Sequence, residues 1–65
     1  MKINDVITIV SIPDYYHKLN KNDFINRLAI IKQITWENGK PSWLKVLVLG
    51  KKEIWLPENS IKEVS

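Results

Sequence analysis

Trp36-Glu37-Asn38-Gly39-Lys40-Pro41-Ser42-Trp43-Leu44-Lys45-Val46-Leu47-Val48-Leu49 decides the fold. Asn38-Gly39 accepts the two positive φ values of a tight hairpin turn, so the segment predicts two antiparallel strands joined at that dipeptide. Downstream, Leu44, Val46 and Val48 form an inward set at a period of two, which sends Trp43, Lys45, Leu47 and Leu49 to the other face. Upstream, the run Leu28 to Trp36 reads best as Ala29-x-Ile31-x-x-Ile34, with a bulge between Ile31 and Ile34 that returns both to the core.

Working outward, Gly50-Lys51-Lys52 ends the third run, and a short fourth run, Glu53 to Leu56, points Ile54 and Leu56 inward and Trp55 outward. Pro57 to Ser60 reads as a turn or a single 3₁₀ turn, and Ile61 to Val64 as a last strand. Val6 to Val10 is β-branched throughout and predicts the first strand, although Val6, Thr8 and Val10 oppose Ile7 and Ile9 and both faces are apolar. Ile12 to Arg27 is polar and aromatic without sustained periodicity, which predicts a long loop. A rival helix over Lys21 to Ile30 rests on Phe24, Ile25 and Leu28, which serve equally as loop anchors. The expectation is an all-β, five-stranded SH3-like barrel with a long first loop and a 3₁₀ turn before the last strand, in a single domain over residues 1–65.

Composition narrows the function classes. The chain has 65 residues, 45% of them hydrophobic, no Cys and one His, so disulfides and thiolate metal sites are excluded. No cofactor is expected. The first ten residues lack the apolar run of a signal peptide or membrane span, which leads to an expectation of a soluble protein of the cytoplasm or the plastid stroma, with no membrane insertion. His17 stands beside Asp14, Tyr15 and Tyr16, but no nucleophile motif or glycine-rich phosphate cradle accompanies it. The carboxylates are scattered singly among Lys and Asn, so the chain is not expected to be an enzyme and takes no small-molecule substrate.

The surfaces carry the functional reading. Tyr15, Tyr16, Trp36, Trp43 and Trp55 exceed what the interior needs and are the candidate partner contacts. The net charge is +3, and Lys18, Lys21, Arg27, Lys51 and Lys52 are candidate electrostatic docking residues for an acidic protein. Lys18, Lys21 and Arg27 lie in the long loop, while Lys40, Lys51 and Lys52 sit at the tips of two hairpins.

Three segments bear a resemblance: Ile12-Pro13-Asp14-Tyr15-Tyr16-His17 after the first strand, Trp36-x-x-Gly39-x-Pro41-Ser42, and Ser60-Ile61-Lys62-Glu63-Val64. Together they are similar to small SH3-like subunits of cyanobacterial and plastid electron-transfer complexes, notably the variable chain of ferredoxin–thioredoxin reductase and, less closely, the small SH3-like component of photosystem I. The resemblance implies a non-catalytic accessory subunit without a cofactor that supports a larger redox partner and helps dock acidic ferredoxin. The tryptophans would then be the subunit contact and the five basic residues the docking charges. Leu56-Pro57-Glu58-Asn59-Ser60-Ile61 resembles the closing segment of peptide-binding SH3 domains, with Ser60 in place of the usual aromatic. Ala29-x-Ile31-x-x-Ile34 resembles small RNA-binding barrels of the KOW type, and Tyr15, Tyr16 and Trp55 beside Lys would suit RNA or DNA.

Overall fold

The computed structural model describes residues 1–48 and 52–64. Five antiparallel strands form one sheet: β1 (Val6–Ile9), β2 (Leu28–Glu37), β3 (Lys40–Val48), β4 (Glu53–Pro57) and β5 (Ile61–Glu63). Their spatial order is β4-β3-β2-β1-β5. The all-β expectation is met, and the rival helix reduces to a one-turn 3₁₀ segment at Lys21–Asp23. The Asn20 side chain caps that turn by accepting from the Asn22 N–H at 3.2 Å. Phe24 is buried and Ile25 half-buried, so both anchor the loop, whereas Leu28 is exposed at the start of β2.

The hairpin forms as its dipeptide requires. Glu37 pairs with Lys40 across a two-residue turn in which Asn38 has φ 53° and Gly39 φ 77°. β3 therefore begins at Lys40, ahead of the Trp43 start read from the sequence, because Pro41 lies in the ladder opposite Trp36. The expected bulge in β2 is present: Ile31 faces Val46 and Gln33 faces Lys45, leaving Lys32 as the extra residue. Ile31 is fully buried; Ile34 is only half-buried against the core, opposite Leu44.

On β1 the ambiguity resolves toward Ile7 and Ile9, which are fully buried, while Val6 and Val10 face solvent. Register supplies the reason. Ile7 lies opposite Ala29, whose small side chain leaves room for it, and Ile9 lies opposite Ile61. The core comprises these residues with Ile12, Phe24, Ile31, Leu44, Val46, Val48, Ile54 and Leu56. It contains aliphatic side chains and one phenylalanine, but no tryptophan or tyrosine.

Strand pairing stops at β4 on one side and β5 on the other, so the sheet is open rather than the closed barrel expected from the sequence. A 3₁₀ turn, Glu58–Ser60, joins the two edges. The Ser60 carbonyl accepts from the Val10 and Ser11 N–H groups at 2.8 and 3.4 Å, and the Ser11 and Ser60 hydroxyls lie 3.3 Å apart. Ser60 is thus a buried tie between loop and sheet.

Gly39 has open space around the position a Cβ would take, so Gly39→Ala tests backbone conformation alone. It should lower stability by about 1 kcal/mol, with Gly39→Asn recovering most of the loss, in urea unfolding followed by tryptophan fluorescence.

Candidate docking surface

The long loop places its two tyrosines differently. A turn brings the Tyr16 N–H to the Pro13 carbonyl at 3.1 Å, and the Leu19 N–H returns to the Tyr16 carbonyl at 3.0 Å. Tyr16 packs partly on the core and donates its hydroxyl hydrogen to the Trp55 carbonyl on β4. That carbonyl belongs to an edge strand, so the tyrosine caps an edge that would otherwise invite another chain. Tyr15 points outward, its ring centroid 4.8 Å from that of Tyr16 and 6.1 Å from that of Trp43, both in tilted arrangements.

Trp43 is held from below. The Thr35 hydroxyl accepts from the Trp43 N–H at 3.0 Å and lies 3.4 Å from the Trp43 carbonyl, standing in for ladder bonds where the β2–β3 register shifts a second time. Across the sheet Trp43 faces Pro57, and Trp55 lies diagonally opposite on the same outer face. Tyr15, Tyr16, Trp43, Trp55 and Pro57 therefore make one aromatic ledge. Among the described residues, the ring contacts themselves join only Tyr15, Tyr16 and Trp43; Trp55 adjoins them by strand register, and Trp36, 59% exposed, is paired with Pro41 near the hairpin.

Beside the ledge runs an open groove of about 600 Å³ lined by Pro41, Ser42, Pro57, Glu58, Asn59 and Ile61. Sequence reading missed it, although pairing the inward residues Leu44 and Leu56 sets Pro57 against Trp43. Carboxylates border this region: Glu58 lines the groove, Glu37 lies 3.4 Å from the Ser42 hydroxyl, and Asp14 adjoins Tyr15. Lys40 faces Glu37 across the hairpin.

Among the described residues, the basic candidates do not gather in one place. Lys18 is exposed two residues after Tyr16. Lys21 is already engaged, its ammonium 2.8 Å from the Asp14 carboxylate. Arg27 and Lys52 are exposed near the end of the sheet where Ala29 pairs with Val48, the opposite end of β3 from Trp43. Lys51 lies outside the described residues. His17 is exposed, and among the described residues no cluster of His, Cys, Asp and Glu is arranged to hold a metal. No helix is long and apolar enough to cross a membrane.

The electrostatics of the ledge follow from two neighbours. The hydrogen bond from Lys21, and then its charge, hold the Asp14 carboxyl below its ordinary value. Partial burial, and next the adjacent Tyr16, push the Tyr15 phenol above its ordinary value, which keeps that ring uncharged at neutral pH. The chain matches no family model, no curated protein and no solved structure.

Two measurements check this geometry. Tyr16→Phe removes the tie to Trp55 and should cost about 1 kcal/mol in chemical unfolding. An NMR titration should find the Asp14 carboxyl below the usual carboxylate range, returning to it in Lys21→Met. Because the folded pKa is the lower one, the pair's stabilisation is present above the ordinary carboxylate value and disappears as pH falls through the depressed one.

Proposed function

We infer that the chain is a non-catalytic docking module with the architecture of a small SH3-like barrel, and that it holds a protein partner through the Tyr15–Tyr16–Trp43–Trp55 ledge. Several features support the architecture: a long β1–β2 connection, a two-residue β2–β3 hairpin, a 3₁₀ turn between β4 and β5, and a last strand that returns beside β1. One observation carries the functional reading. No tryptophan or tyrosine is among the buried core residues, Tyr16 packing only partly against them, yet a loop, a hydroxyl bond and a strand irregularity hold Tyr15, Tyr16 and Trp43 in ring contact. Aromatic side chains that stay ordered at a surface lose little conformational freedom on binding, which is why interface centres favour them.

The resemblance to electron-transfer subunits extends this reading to an accessory subunit in a ferredoxin-dependent complex. The ledge would hold the large partner, while Lys18, Arg27 and Lys52 would face an acidic carrier elsewhere on the molecule. A second reading, an adaptor for an extended peptide, is favoured by the groove that runs from Pro41 to Asn59 beside Trp43. Binding of RNA or DNA is the third reading: Asp14, Glu37 and Glu58 border the rings together with Lys21, Lys40 and Lys45, so the border is of mixed sign rather than a basic track for phosphates.

The double variant Trp43→Ser with Trp55→Ser tests the ledge. It should retain the far-ultraviolet spectrum and cooperative unfolding of the parent, yet lose a stoichiometric partner that the parent keeps at high salt. Retention of that partner by the variant, or strongly salt-dependent capture of a labelled oligonucleotide by the parent, would count against the proposal.

A further inference from the structure

A second apolar surface lies on the same outer side of the sheet as Trp43 and Trp55, toward the other end of β3. Strand register sets Val6, Ile30, Leu47 and Glu53 in one row across β1, β2, β3 and β4. Val64 continues this row beyond β5, where it lines a cleft with Asp5, Val6 and Glu63. The adjoining row runs Lys62, Thr8, Leu28 across β5, β1 and β2. Their sequence neighbours Ile7, Ala29, Ile31, Val46 and Val48 are fully buried, so the two-residue alternation leaves the rows facing water. Val6, Leu28 and Val64 are 45, 47 and 54% exposed, and Ile30 and Leu47 half-buried. A contiguous aliphatic surface of this kind marks an interface.

The charges at its two ends identify the occupant. Lys62 stands on β5 at one margin of the sheet and Glu53 on β4 at the other, with the aliphatic rows between them. We propose that this face binds a second copy of the chain, in an isologous dimer whose twofold axis runs along the strands. That axis lays the β5 margin of one copy over the β4 margin of the other. Lys62 then meets Glu53 of the second copy twice, and the aliphatic rows cover each other. A twofold axis across the strands would set Lys62 against Lys62 and Glu53 against Glu53, which like-charge repulsion disfavours. Glu53 approaches Lys45 at 3.5 Å within its own chain, but its side chain remains 41% exposed and open to a second cation. The apolar rows drive the association and the terminal charges choose its direction. A partner of one predominant charge would call for a face of the opposite charge, whereas this one is of mixed sign, with Lys62 at one margin and the Glu53–Lys45 pair at the other.

Sedimentation equilibrium from micromolar to millimolar concentration tests the proposal. A monomer–dimer equilibrium is expected. Leu28→Lys, at an exposed position that leaves the core intact, should weaken it at least about tenfold; Ile30→Lys should do the same. Lys62→Glu and Glu53→Lys should each weaken association, and their combination should recover most of the loss. The Lys45 contact is present in monomer and dimer alike and cancels from that comparison. A chain that stays monomeric at millimolar concentration would overturn the proposal, as would a dimer unaffected by Leu28→Lys, or one lost through Trp43→Ser instead. The last result would place self-association on the ledge, so the two surfaces can fail separately.

Discussion

The space enclosed by the bent sheet sets the terms for everything outside it. Each strand sends alternate residues inward, and the inward sets of β1 to β4 meet with Ala29 between Ile7 and Val48 as the smallest member. A packed interior tolerates few added atoms, because close-packed side chains have little room to shift. An indole has no place there, and the three tryptophans are left at or near the surface. A chain of this size buries only about 60% of its unfolded surface, so the excess apolar area must either stay in water or meet another molecule.

The long first loop is the second determinant, because it completes what the strands leave open. Phe24 and Ile12 fill the interior from the loop side, Asn26 at φ 66° turns the chain into β2, and its N–H bonds the Ile9 carbonyl at 2.7 Å. Tyr16 reaches across to β4 and Ser11 to Ser60, so one segment ties both margins of the sheet. These ties also position Tyr15 over Trp43. The same contacts that close the fold therefore build the ledge, and a substitution that loosens the loop would disturb both.

Much of the fold was legible where a local rule had a single solution. Asn38-Gly39 admits one turn, the alternation of β3 and β4 admits one inward set, and the spacing from Ile31 to Ile34 requires an extra residue. Legibility failed where two solutions were locally equivalent. Val6-Ile7-Thr8-Ile9-Val10 is apolar on both faces, and only pairing with Ala29 and Ile61 selects the isoleucines. The loop carried no periodicity to say which tyrosine turns inward; that depends on the Trp55 carbonyl, thirty-nine residues away. Closure of the sheet was expected from the order of elements, yet order alone does not fix whether the two edge strands reach one another.

Charge is the feature on which sequence and structure diverge most. A net charge of +3 suggests a landing site for acidic partners, but part of it is neutralised locally. Lys21 is bound to Asp14 and Lys45 to Glu53, while Arg27 and Lys52 lie far along the sheet from the rings. Exposed pairs of this kind are weak and screened by salt, so they orient an encounter more than they hold a complex. Affinity must then come from apolar area, and the molecule has two such areas toward opposite ends of β3 on one outer face, each with charge at its margin. If the ledge holds one partner and the aliphatic rows another copy, a dimer would present two ledges at once, and a partner with two binding segments would be held more tightly than either contact alone allows.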